Sequence, residues 1–233
     1  MALYAIGDTH LSLGTDKPMT VFAGWDSYVE RLEENWRRLV TEEDTVVIAG
    51  DISWGMSLEQ AKPDFAFLHR LPGQKLLFKG NHDYWWTTRR KMDNFFEENG
   101  FTSLRIVHND AVEVDNMLSV CGSRGWFNED GEEADHTVLL REAGRLRASI
   151  AAAKQTGLEP IVFLHYPPLF GGQRCEEILQ VLQEESIARC FYGHVHSAGV
   201  RLAFNGVENG TEYRLISADA LGFCPIRIRP IEK

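Results

Sequence analysis

Five apolar runs in this chain each stop on a polar cluster: "LYAIGDTH", "TVVIAGD", "KLLFKGNHD", "IVFLHYPP" and "RCFYGHVH". Their apolar cores are about five residues long and rich in β-branched and aromatic side chains, which predicts buried strands rather than helices. Between them the period lengthens. Residues 26–40 place Val29, Leu32, Trp36, Leu39 and Val40 on one helical face, and residues 134–155 do the same with Val138, Leu139, Leu146 and Ile150. At residues 57–60, "SLEQ" has the spacing of a capping box, so a helix is expected to start there and Pro63 to break or restart it.

Two sections change rhythm. Residues 104–121 read as three short strands joined by Asn-Asp and Asp-Asn turn signals, a hairpin or meander. Residues 198–229 read as further short strands, with "FNGVENG" as a hairpin turn. Alternating strands and helices followed by strand-only sections predict an α/β protein in which two sheets pack together with helices outside. The chain shows no internal repeat, low-complexity tract or linker, and its 233 residues suit a single well-cored domain over 1–233.

Composition narrows the partners. A formal net charge of −10 disfavours long nucleic acid and anionic membranes, which are held by basic patches. It leaves room for a phosphate-bearing substrate, because bound cations reverse the local sign. No apolar run approaches the ~18 residues of a membrane span. "MALYAIGDTH" lacks a basic leader, so no signal peptide is expected. Cys121, Cys175, Cys190 and Cys224 form no CxxC pair and read as reduced thiols, which points to the cytoplasm. The acidic run at 128–135 reads as a solvated loop.

The chemistry gathers at the five strand ends, where ligands of α/β sheets collect. The first end carries Asp8 and His10, the second Asp51, the third Asn81, His82 and Asp83, the fourth His165, and the fifth His194 and His196. These positions hold five of the eight histidines; His69, His108 and His136 are scattered and read as ordinary residues. One such cluster alone is most simply a turn or a satisfied core histidine. Side by side, however, the carboxylates would repel one another in a partly desolvated crevice unless cations lay between them. Carboxylate, imidazole and amide oxygen suit Mn, Fe, Zn, Co or Ni, and seven ligands with one bridging Asp describe a two-metal centre. Gly7, Gly50, Gly80 and Gly193 each lie beside these ligands and are expected to let the chain turn and leave room.

In order, "GDTH", "GD", "GNHD", a lone His after a strand, and "GHVH" resemble the motif set of the calcineurin-like metallophosphoesterase superfamily, over residues 7–196. The resemblance implies a two-sheet β-sandwich flanked by helices, a four-layer αββα fold with a dinuclear site at one edge. It implies that Asp8, His10 and His196 bind the first metal, that Asn81, His165 and His194 bind the second, and that Asp51 bridges. Manganese leads the candidate metals. His82 would contact the phosphate, and Asp83 would hold the loop or orient His82. The two cations would acidify a bridging water, whose hydroxide would attack phosphorus in line.

Substrate residues are less sharply marked. Trp85 and Arg89 in "DYWWTTRRK" and Arg124 in "GSRGWF" are candidates for stacking a ring or holding a second phosphate. Residues 11–25 are expected to loop over the site. The leading function is hydrolysis of a small phosphate ester, diester slightly ahead of monoester. A nuclease and a non-catalytic metal-binding module on the same fold are the alternatives.

Overall fold

In the computed structural model, which describes residues 1–126 and 136–230, all five apolar runs become strands at the heart of two sheets. The strands are β1 (Leu3–Ile6), β2 (Thr45–Ile48), β3 (Gln74–Leu77), β4 (Leu104–Ile106), β5 (Val112–Val114), β6 (Leu118–Ser123), β7 (Glu159–Leu164), β8 (Leu169–Phe170), β9 (Gln173–Arg174), β10 (Arg189–Tyr192), β11 (Gly206–Glu208), β12 (Thr211–Leu215) and β13 (Ile226–Ile228). The helices are α1 (Tyr28–Leu39), α2 (Leu58–Arg70), α3 (Arg89–Glu98), α4 (His136–Gln155) and α5 (Glu176–Glu184).

The first sheet has the order β13-β1-β2-β3-β4 and the second β11-β12-β10-β7-β6-β5, while β8 and β9 form a separate ribbon. Strands β1 to β4 run parallel, as do β6, β7, β10 and β12, and antiparallel strands sit at the sheet edges. Parallel strands covered on both faces must be apolar throughout, which is why β1, β2 and β10 are buried at every position.

Three apolar clusters make four layers. Leu3, Val47, Phe78, Val120, Phe163 and Phe191 fill the space between the sheets. Trp36, Phe65, Phe96 and Ile48 join α1, α2 and α3 to the outer face of the first sheet. Leu146, Ile150, Leu182 and Val162 join α4 and α5 to the second. The result is the four-layer αββα sandwich that the pattern and the resemblance implied. Among the described residues, no helix is long and apolar enough to cross a membrane.

Several local expectations need correction. Pro63 does not break α2: the helix runs through it to Arg70. Pro63 removes only the ladder bond to Glu59, while Ser57 Oγ caps Gln60 N–H at 3.3 Å and Ala61, Phe65 and Leu68 are buried on the sheet. Residues 104–121 are not one meander. Strand β4 pairs with β3 in the first sheet, and the chain then crosses to form the β5–β6 hairpin in the second. The turn in "FNGVENG" is confined to Asn209-Gly210, both at positive φ, because Gly206–Glu208 pairs with β12. Residues 197–202 form a short 3₁₀ helix instead of a strand. Val40 lies just beyond α1 as its C-cap, although it is buried as expected. The acidic run at 128–135 falls outside the described residues.

Candidate metal centre

The parallel strands of both sheets deliver their C-terminal ends to one edge. There Gly7 bridges to Ser217, its N–H reaching the Ile216 carbonyl at 2.7 Å, so the two sheets are tied together beside the ligands. Four of the seven expected ligand residues, Asp8, Asp51, His10 and His194, have φ between 43° and 71°. This left-handed conformation costs a non-glycine residue roughly 1 kcal/mol or more, and it turns each side chain back across the strand ends. The close approach of the loops requires glycine at 80 and 193. A Cβ on Gly80 would lie 2.1 Å from the Asp51 amide nitrogen and Oδ1, and one on Gly193 would lie 2.3 Å from Asp8 Oδ2. Gly7 is different, since a Cβ there would meet its nearest atoms at an ordinary 3.6 Å.

Two groups of donors result. Asp8, His10 and His196 form one, with ligand atoms within 4.8 Å of one another, and Asp51, His165 and His194 form the other. In the first, His196 Nε2 is 3.3 Å from Asp8 Oδ1 and 3.3 Å from His10 Nε2. In the second, Asn81 Oδ1 lies 2.6 Å from His165 Nε2 and 2.9 Å from His194 Nδ1. Asp51 stands between them: Oδ2 is 3.7 Å from His10 Nε2 and Oδ1 is 3.5 Å from His165 Nε2.

The electrostatics of these side chains fit divalent cations. Burial, and then the neighbouring Asp8, push the Asp51 carboxyl up to about 8. Burial would also raise Asp8, but chiefly the charge and hydrogen bond of His196 outweigh it and hold that carboxyl well below its ordinary range. Burial drives His10 and His165 toward the neutral imidazole and brings His194 down to about 3. Neutral imidazoles with free lone pairs around two crowded carboxylates are the form a metal requires. His196 is the exception: burial opposes protonation there, but Asp8 and a hydrogen bond to Asp219 raise it to about 10.

The sequence model of calcineurin-like phosphoesterases matches residues 1–198. The chain belongs to the calcineurin-like phosphoesterase family. No match is found among curated proteins. Among solved structures, a protein of unknown function from Aquifex aeolicus, AQ665, is similar at TM-score 0.55 and 16% identity, over 97% of this chain and 95% of that one. TT1561 of Thermus thermophilus is similar at TM-score 0.55 and 13% identity, over 83% of this chain and 81% of that one. At such identities these two likenesses concern the fold.

Around the donor groups of this phosphoesterase, the remaining candidates separate. His82 is half-buried and outside both groups. Its ring lies 4.5 Å from the Trp54 ring and 5.8 Å from that of His10, and its backbone N–H donates to Asp51 Oδ1 at 2.7 Å. The Asp83 carboxylate takes its hydrogen bonds from groups other than the His82 ring. Its Oδ1 accepts from Ile52 N–H, Ser53 N–H and Trp85 Nε1–H, and its Oδ2 from Gly80 N–H, so it clamps the Asp51 loop to the Asn81 loop.

Two of the three substrate candidates move away from that role. Trp85 is buried in the core, packed edge-on against Phe65 at 4.8 Å, and offers no face to a ligand. Arg89 pairs with Asp93 and Asp110. Through Asp110, which accepts the His108 N–H, it braces the loop after β4. Arg124 does stay near the centre: its carbonyl accepts from His165 N–H and Tyr166 N–H, and its guanidinium stacks 4.8 Å from the Trp126 ring. The 11–25 segment borders the site. Trp25 packs against His10 and His196, and Lys17 Nζ lies 4.6 Å over the Trp54 ring.

Sequence reasoning missed three contributors. Asp219 Oδ1 lies 2.9 Å from His196 Nδ1 and fixes that ring. Trp54 stacks on His10 at 5.1 Å. The buried Asp64 accepts from Leu13 N–H at 2.7 Å and from Ser53 Oγ, tying the 11–25 loop to the segment after Asp51. Asp219 and Asp64 lie in no motif. Trp54 follows Asp51 by three positions, and only that nearness could have marked it.

Proposed function

We propose that this phosphoesterase hydrolyses small phosphate esters with two divalent transition-metal ions, manganese first among them, and that diesters are taken ahead of monoesters. The observation that carries the reading is Asp51, a buried carboxylate with one oxygen toward each group of histidines. Asp8, His10 and His196 would hold one ion, and Asn81, His165 and His194 the other, with Asp51 shared. Bound there, the pair would supply charge to clamp the phosphoryl group and would acidify a water.

The protein's own contribution is arrangement and hydrogen bonding. Asp219 presents His196 through Nδ1, and the Ala49 carbonyl, 3.1 Å from His165 Nδ1, presents that ring through Nε2. Burial, and then His165 and Lys17, hold His82 toward the neutral imidazole, whose N–H can donate to a phosphoryl oxygen as charge builds. Among the described residues no cap domain covers the ligands, which favours substrates with two organic arms.

A paired assay of a chromogenic diester and monoester with Mn²⁺ tests the reading. Wild type should hydrolyse the diester faster, and Asp51→Ala should lose metal-dependent hydrolysis of both. Wild-type rates in Asp51→Ala would refute the bridging role. A protein that binds metal but cleaves neither ester would be a binding module instead.

A further inference from the structure

The crevice between the sheets does not end at the metal ligands. In the first sheet the ligands follow β1, β2 and β3; in the second they follow β7 and β10. One strand further along the same edge, between the ends of β3 and β4 on one side and β6 on the other, lies a second cleft. Its interior is narrow, about 20 Å³ or the room of a water molecule, and it opens to solvent between Lys79, His108, Ser123, Arg124, Glu142 and Arg145. Lys79 immediately precedes Gly80 and Asn81. Arg124 lies 5.9 Å from the Tyr166 ring, which in turn lies 4.4 Å from the ring of His194. One aromatic ring therefore separates this cleft from the second donor group.

Its charges are unbalanced and incompletely partnered. Among the described residues, three cationic side chains, Lys79, Arg124 and Arg145, and one carboxylate, Glu142, line it. Arg145 is occupied, because it bonds Glu142 Oε1. Among the described residues neither Lys79 nor Arg124 has an ion-pair partner. Arg124 Nε is buried without an acceptor, and Glu142, 1% exposed, keeps Oε2 without a donor. Buried polar atoms left open in this way are costly unless something completes them. An oxyanion would satisfy Lys79 and Arg124, and a hydroxyl beside it would satisfy Glu142 Oε2.

We propose that the mouth of this cleft is a subsite for the organic arm of the substrate, and that the arm carries a second oxyanion, phosphate or carboxylate, next to a hydroxyl. The proposal rests on the phosphoester-hydrolase reading and narrows its substrate to polyol or sugar esters with a further acidic group. No basic patch elsewhere is needed, since the chain's net charge of −10 is reversed locally by Lys79 and Arg124.

The test compares two chromogenic diesters with Mn²⁺-loaded protein: uridine 5′-(p-nitrophenyl phosphate) and the same compound bearing a 3′-phosphate beside its free 2′-hydroxyl. Wild type should favour the 3′-phosphorylated ester by about tenfold or more in kcat/KM, the worth of one charge-assisted hydrogen bond. Lys79→Ala should erase most of that preference while cleaving the plain ester within about twofold of wild type, and Arg124→Gln should erase it as well. Equal rates in wild type, or a preference kept by both variants, would overturn the subsite.

Calorimetry with uridine 3′,5′-bisphosphate against uridine 5′-phosphate reads the same subsite without turnover. Tighter binding of the bisphosphate, lost in both variants, supports the subsite even if neither ester is cleaved. Equal binding rejects it, whatever the hydrolytic activity. A carboxylate preference is distinguished by repeating the titration with a 3′-carboxymethyl analogue.

Discussion

Replacing Asp219 with Ala removes the partner that orients His196. The Asp219 side chain is 12% exposed. Its Oδ1 lies 2.9 Å from His196 Nδ1 and accepts from Ala220 N–H, while Oδ2 accepts from Ser197 N–H at 2.9 Å. Without it, the ring that places Nε2 beside Asp8 and His10 is free to rotate. Loss of such a partner costs about 10–100-fold in metal affinity, or about 1.4–2.7 kcal/mol. The substitution also reduces the proton affinity of His196, which eases metal entry. Asp8 is the larger source of that affinity, so this offset is the smaller effect.

Calorimetric titration of metal-stripped protein with Mn²⁺ at pH 7.5 separates the two sites. The site containing His196 should weaken by 10–100-fold, as estimated above. The site containing His165 and His194 should hold its affinity, and Asp219→Asn should recover most of the loss. Equal weakening of both sites, or a change under about twofold at the site containing His196, would refute the orienting role.

Burial raises Asp64 to about 6 from an ordinary 3.8, so the folded protein holds this proton more tightly than the unfolded chain. Its contribution is therefore most favourable in acid and declines as pH rises through 4 to 6, by about 3 kcal/mol in all. In urea denaturation at pH 4.5 and 7, Asp64→Asn should lack this decline, and parallel pH profiles would exclude it. Gly80→Ala should cost about 3 kcal/mol or more, because its Cβ strikes Asp51 at 2.1 Å; Gly7→Ala should cost about 1 kcal/mol or less. Equal losses in thermal melts would contradict the assigned close approach. Trp85→Phe removes one donor to Asp83 and should lower stability by about 1 kcal/mol without changing the KM for a small diester. A raised KM would return Trp85 to the substrate.

The candidate ligands were legible because fully buried parallel strands leave continuous apolar runs, and the polar residues that end them stand out. Asp8, Asp51 and His194 could be named, but their left-handed backbone could not, since it is imposed by loops meeting across the two sheets. Asp219 was invisible for a related reason: it is 23 residues from His196 in sequence and reaches it only because β12 lies beside β10. Trp85 misled because its neighbours His82 and Asn81 belong to the site, while its own side chain turns into the α2–α3 core. The path from β4 to β5 was misread because local turn signals mark a bend without saying which sheet follows. The cleft at Lys79 and Arg124 drew no notice in the sequence, where its lining is spread over 68 positions from Phe78 to Arg145.

Metal stoichiometry bears most directly on the central claim. Protein equilibrated with Mn²⁺ and freed of excess should carry two ions per chain by elemental analysis, and Asp51→Ala clearly fewer. A wild-type value of one ion or none would contradict the dinuclear centre.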